Sequence, residues 1–79
     1  SMSRSRLGLA PYDLKIQTQI AENISQLDRH RLELQSRLYD NPIDRDKITQ
    51  LRERMLSLQD EIARWQTEQA FRQYEKQKY

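Results

Sequence analysis

From Ile48 to Trp65 the apolar residues fall at Ile48, Leu51, Met55, Leu58, Ile62 and Trp65, in steps that alternate three and four without a fault. A half-buried strand needs period two, so this spacing demands a helix with one apolar seam. The preceding stretch repeats the theme at Ile16, Ile20, Ile24, Leu27, Leu34 and Leu38, with Arg31 between Leu27 and Leu34. Its steps run four, four, three, four, three, four, so it carries one irregularity near its start. Between the two runs stands Tyr39-Asp40-Asn41-Pro42-Ile43-Asp44. Proline inside a helix costs about 3 kcal/mol and disfavours the α conformation in the residue before it. At the first helical position it is welcome, with Asn41 as the cap. Carrying the first seam forward also puts polar Asn41 and Arg45 at core positions. The break is therefore read as a turn between two helices.

The two seams fit each other. In an antiparallel hairpin, facing layers keep a constant sum of residue numbers. Leu38 with Ile48, Leu34 with Leu51, Leu27 with Leu58, Ile24 with Ile62 and Ile20 with Trp65 all sum to 85 or 86. One short loop closes every layer at once. The expected fold is all-α: a two-helix antiparallel coiled-coil hairpin with a tight turn at Asp40-Asn41-Pro42. Its helices are expected at 12–39 and 42–76, its turn at 40–41. Residues 1–11 read as a flexible lead-in that opens with a cleavage remnant, Ser1-Met2. A continuous helix kinked at Pro42 and paired with another chain is the competing architecture.

Composition supports this reading. Of 79 residues, 33% are charged and 35% hydrophobic, too few apolar groups for a layered globular core. One Gly and two Pro argue against a turn-rich β fold, and the lack of Cys removes disulfides, thiol nucleophiles and cysteine zinc sites. A single histidine, His30, has no readable nucleophile or orienting carboxylate beside it. No phosphate loop or calcium loop is present. The expectation is a protein without catalytic activity, cofactor, metal or small-molecule ligand. No apolar run reaches the length of a membrane span, and a cytoplasmic setting is expected. The net charge of +2 is spread over interleaved acids and bases, which speaks against nucleic acid as the partner.

Two helices make a thin core, so association is the central functional expectation. A weak second apolar row beside the seam holds Ala21, Leu32 and Tyr39 on the first helix and Leu56, Ala63 and Ala70 on the second. Phe71 and Tyr74 lie off the seam. Leu32, Tyr39, Leu56, Ala63, Phe71 and Tyr74 are thus the candidate partner face. Seam Trp65 is expected to pack over Ile20, and the Arg31 stem to lie along Met55. His30, Arg37, Lys47 and Arg54 form a basic strip, read as a solvated face. There Arg37 and Lys47 oppose each other, with Asp40 and Asp44 as counter-ions. The functional expectation is a coiled-coil interaction module of a larger intracellular protein. It would mediate homo-oligomerisation or scaffold assembly, two hairpins joining as a four-helix bundle. The alternative is a monomeric hairpin that binds a folded partner such as a small GTPase.

Overall fold

The computed structural model describes residues 11–78, an all-helical chain of two helices packed against each other as a hairpin. Helix α1 spans Pro11–Arg37 and helix α2 spans Arg45–Lys78. Apart from Pro11, the lead-in expected at 1–11 lies outside the described residues. The molecule is a narrow slab, 58 × 25 × 12 Å, with a radius of gyration of 17.7 Å. A compact domain of this length would measure about 12 Å. Ion pairs fix how the helices meet. Asp13, in the first turn of α1, bonds Arg72 and Lys76 near the end of α2, while Glu33, late in α1, reaches Lys47, early in α2.

The connection is longer than the sequence suggests. Helix α1 ends at Arg37, and its last turn tightens through i→i+3 bonds from Tyr39 N–H to the Ser36 carbonyl and from Asp40 N–H to the Arg37 carbonyl. The next helix does not begin at Pro42. The Asp44 carboxylate accepts the Lys47 N–H at 3.0 Å, and its carbonyl accepts the Ile48 N–H at 3.1 Å. Asp44, not Asn41, is the N-cap. Asp46 then lies in the first turn, where the helix dipole favours a carboxylate. This frame also places Ile43 just before the cap and Ile48 at the fourth helical position, the two sites of a hydrophobic staple. Both line one recess with Leu38, Arg45 and Thr49.

The core is thin. Ile16 and Leu51 are fully buried, and Leu27 and Ile62 nearly so. Ile20, Leu34, Ile48, Met55, Leu58 and Trp65 are half-buried in the same seam. Two expected seam residues are not in it. Ile24 and Leu38 are exposed at 42% and 50%. Their places are taken by Asn23, 2% exposed, and by half-buried Arg37. Half-buried His30 likewise replaces Arg31, which faces solvent and pairs with Asp28 at 3.0 Å instead of lying along Met55. The seam of α1 is therefore Asp13, Ile16, Ile20, Asn23, Leu27, His30, Leu34 and Arg37, alternating three and four throughout. The irregularity in the apolar spacing arises because polar residues fill three of the later positions.

Replacing Asp44 with Ala should cost about 1 kcal/mol, lowering the melting temperature by roughly 4–8 °C. Asn41→Ala should stay within about 0.5 kcal/mol. Thermal unfolding followed by circular dichroism separates the two.

Candidate functional site

Each seam residue has a neighbour on either side in sequence, and at 100° per residue these neighbours turn to opposite flanks. Residues that precede seam positions share one flank. Glu33 and Lys47, which precede Leu34 and Ile48, meet across the helices at 3.9 Å. Tyr12, Glu61 and Glu68, which precede Asp13, Ile62 and Gln69, line one recess. Residues that follow seam positions share the other flank. Leu38 and Thr49, which follow Arg37 and Ile48, line the second recess. The hairpin thus has two sides of different chemistry.

The preceding side is charged. Near the turn, Glu33 sits between Arg37 at 3.7 Å and Lys47 at 3.9 Å, so it separates the two cations expected to oppose each other. Asp40 assists Arg37 at 3.4 Å, while Asp44 is committed to its cap. At the open end, Asp13 is 6% exposed and accepts hydrogen bonds from the Arg72 Nε–H and the Lys76 ammonium. The Arg72 guanidinium also stands 4.5 Å from the centroid of the Tyr12 ring, a cation–π contact. These contacts hold the Asp13 carboxyl down at about 2, first through Lys76 and then through Arg72, against the opposing effect of burial. The same pairing pushes the Arg72 guanidinium upward.

Towards the open end the following side is apolar and neutral, while nearer the turn it carries the Asp28–Arg31 pair and Arg52. Away from the turn it presents Leu14, Gln17, Ala21 and Ile24 from α1, and Leu56, Gln59, Ala63, Gln66, Ala70, Gln73 and Gln77 from α2. None of these eleven positions is charged, in a chain where one residue in three is. All are exposed except half-buried Leu14. Ile24, displaced from the seam, therefore adds to this side.

The candidate partner residues are all exposed, but they do not form one face. Leu56 and Ala63 lie on the neutral side. Leu32, Tyr39 and Tyr74, exposed at 65%, 90% and 66%, lie on the outer ridges or beyond the end of α1. Phe71 precedes Arg72 and so belongs to the charged side. Ile24 and the α2 glutamines were missed because an apolar count assigns isoleucine to the core and ignores neutral polar residues. An absence of charge, read along the flanks, was the available signal. His30 of the basic strip lies in the seam. Trp65 is half-buried and forms part of the Tyr12 recess.

No helix among the described residues is long and apolar enough to cross a membrane. Among the same residues no group of three or more His, Asp or Glu is placed to hold a metal ion. The fold and its two flanks define a helical hairpin. No protein-family model matches the chain, and comparison with curated proteins and with solved structures found no match.

The Asp13 site gives an acid-dependent stability with a definite sign. An unpaired Asp titrates near 3.9, so the unfolded chain takes up this proton at a higher pH than the folded one. The stabilisation is complete above about pH 4 and is lost as pH falls towards about 2. Asp13→Asn should destabilise the hairpin at neutral pH and make the loss between pH 4 and 2 shallower, as read by urea unfolding across that range.

Asn23 gives the opposite kind of test. Its Oδ1 accepts the Gln19 amide at 2.9 Å, but its buried Nδ2 has no partner. A buried donor without an acceptor costs about 1–3 kcal/mol. Asn23→Leu should therefore raise stability by about 1 kcal/mol or more in the same unfolding assay.

Proposed function

We propose that this chain is a non-enzymatic interaction module that assembles with itself through the neutral side of the hairpin. The observation behind the proposal is the balance of apolar burial. Four large apolar side chains are buried, while Tyr12, Ile24, Leu32, Leu38, Tyr39, Ile43, Leu56, Phe71 and Tyr74 are exposed. Of the exposed residues, Ile24, Leu56 and, near the turn, Leu38 lie on the neutral flank, and a hairpin with so few large apolar groups fully buried gains by covering them.

The pattern on α2 favours a second copy as the cover. Gln59, Ala63, Gln66, Ala70 and Gln73 read the same in both directions. A two-fold axis at Gln66 sets Ala63 against Ala70 of the second copy, and the reverse. An isologous interface requires such self-complementarity. The alanines allow the helix backbones to approach, and Ile24 and Leu56 close the edges. From Leu56 to Gln77 the side is about 32 Å long. With the 25 Å width of the slab, each copy contributes on the order of 800 Å², the size of a standard interface. In this reading the two helices pair as an antiparallel coiled coil. Layers sum to 85, as Asp13 with Arg72 does, and two hairpins build a four-helix bundle. The cytoplasmic setting expected from the sequence is part of the same proposal.

Light scattering behind a sizing column, over a hundredfold concentration range, should give a dimer. The double variant Ala63→Glu/Ala70→Glu should run as a monomer of unchanged helix content, because both sites are exposed in the hairpin. A wild-type monomer with full helicity would overturn self-assembly and leave the recognition of a folded partner.

A further inference from the structure

A second surface lies on the charged side, where self-assembly makes no use of it. Tyr12, Glu61, Arg64, Trp65 and Glu68 line a shallow recess of about 460 Å³. Two of its walls are aromatic. Trp65 is a seam residue, so its indole is anchored in the hairpin while its edge reaches the recess. Tyr12 is held in place by the Arg72 guanidinium, and Arg72 is itself fixed by buried Asp13. The recess is thus walled by rings that other interactions have already positioned.

The charge in the recess is unbalanced. Glu61 and Glu68 are half-buried, and neither carboxylate has an ion-pair partner among the described residues. The α2 cations beside it bond other carboxylates, although Arg72 also lies within electrostatic reach of Glu68. Arg64 pairs with Asp60 at 3.0 Å, and Arg72 and Lys76 both bond Asp13. Trp65 between two carboxylates that make no ion pair, with the Tyr12 ring also lining the recess, forms a surface that attracts a cation with a flat face. A guanidinium fits better than an ammonium, because it stacks on a ring and still directs N–H groups sideways to carboxylates.

Glu61 and Glu68 are seven residues apart on one helix, about 10 Å along its axis, with Trp65 between them. In a polyproline II segment, an extended form with three residues per turn, two residues separated by two others lie on one face about 9 Å apart, close to this distance. We propose that the recess is a docking site for a partner's extended basic segment, with two arginines three positions apart, one on each side of Trp65. The partner is a protein, and the recognition is by charge and stacking. This site lies on the flank opposite the neutral side and does not depend on self-assembly.

Trp65 is the only tryptophan in the chain, so its fluorescence reports on the recess directly. The probe is the peptide acetyl-Arg-Ala-Ala-Arg-amide, titrated at low salt into the full chain. The expected result is a saturable change with a dissociation constant in the millimolar range, as exposed ion pairs and cation–π contacts are weak. Added salt should weaken it. Glu61→Gln/Glu68→Gln should reduce the affinity about tenfold. Arg64→Gln should increase it, since Arg64 is the one cation lining the recess. A structural disturbance would not move the two variants in opposite directions. Ala63→Glu/Ala70→Glu should bind the peptide as the wild type does, which separates this site from self-assembly. The proposal is overturned by an absence of saturation, by an equal response to acetyl-Gln-Ala-Ala-Gln-amide, or by unchanged affinity in the Gln variant.

Discussion

Which face of α1 enters the seam is settled around Asn23, and most other features of the molecule follow from that choice. Burying Ile24 would remove more apolar surface from water than burying Asn23. The register of the rest of the helix opposes it. With Ile16, Ile20 and Leu27 in the seam, Asn23 lies about 40° from the centre of the stripe and Ile24 about 60° away on the other side, and His30, Leu34 and Arg37 continue the stripe on the Asn23 side. Turning Ile24 inward would turn Ile16 and Leu27 outward, and these are two of the four large apolar groups that the hairpin buries. The polar amide is therefore carried into the core by its neighbours. Gln19 satisfies only its oxygen.

The same rotation produces the two-sided character. Once Asn23 is in the seam, Ile24 joins the flank that already carries Ala21, Leu56 and Ala63. The acidic residues that precede Ile62 and Gln69 are then collected on the other flank with Tyr12. Asp13 holds this arrangement at the open end. There the seam has run out of apolar residues: Gln69, Arg72 and Lys76 occupy the last layers of α2. A buried carboxylate between two cations supplies there what leucine supplies elsewhere. Because it is nearly excluded from water, the pairing is less screened than the surface pairs at Arg31 and Arg64.

Much of this was legible in the sequence. The unbroken rhythm from Ile48 to Trp65 and the Asn41-Pro42 break carried the two helices and their hairpin. In α2 every expected seam residue is at least half-buried, because each layer there is apolar. In α1 the register was read one residue off at Ile24, Arg31 and Leu38. An apolar count follows hydrophobicity, whereas the helix follows geometry, and the two part where polar side chains fill the layers. The cap was misplaced for a related reason. Asn41-Pro42 and Asp44 are both sound helix starts by local chemistry. The choice of Asp44 brings Ile43 and Ile48 together, a contact that single-residue preferences do not contain. The Asp13 cluster joins residues 59 and 63 positions apart. No local pattern signals it.

A chain that fills its seam with Asn, His, Arg and Asp gives up stability that leucine would supply, and the placement of those residues has a consequence. They are concentrated in α1, whereas α2 stays apolar from Ile48 to Trp65. Two copies of α2 could match one apolar stretch with the other, so the choice of α1 as the partner of α2 needs its own determinant. The ionic layers can supply it. Asp13 meets Arg72 and Lys76, and Glu33 meets Lys47, only when α1 lies against α2 in this register. Two α2 helices side by side would leave Arg72 and Lys76 without the buried carboxylate that holds them. The polar groups thus weaken the hairpin seam while opposing its rivals, as a single polar core residue fixes pairing in coiled coils at a cost in stability. The proposed self-assembly would use the open-end part of the neutral flank, which is uncharged and leaves the hairpin closed.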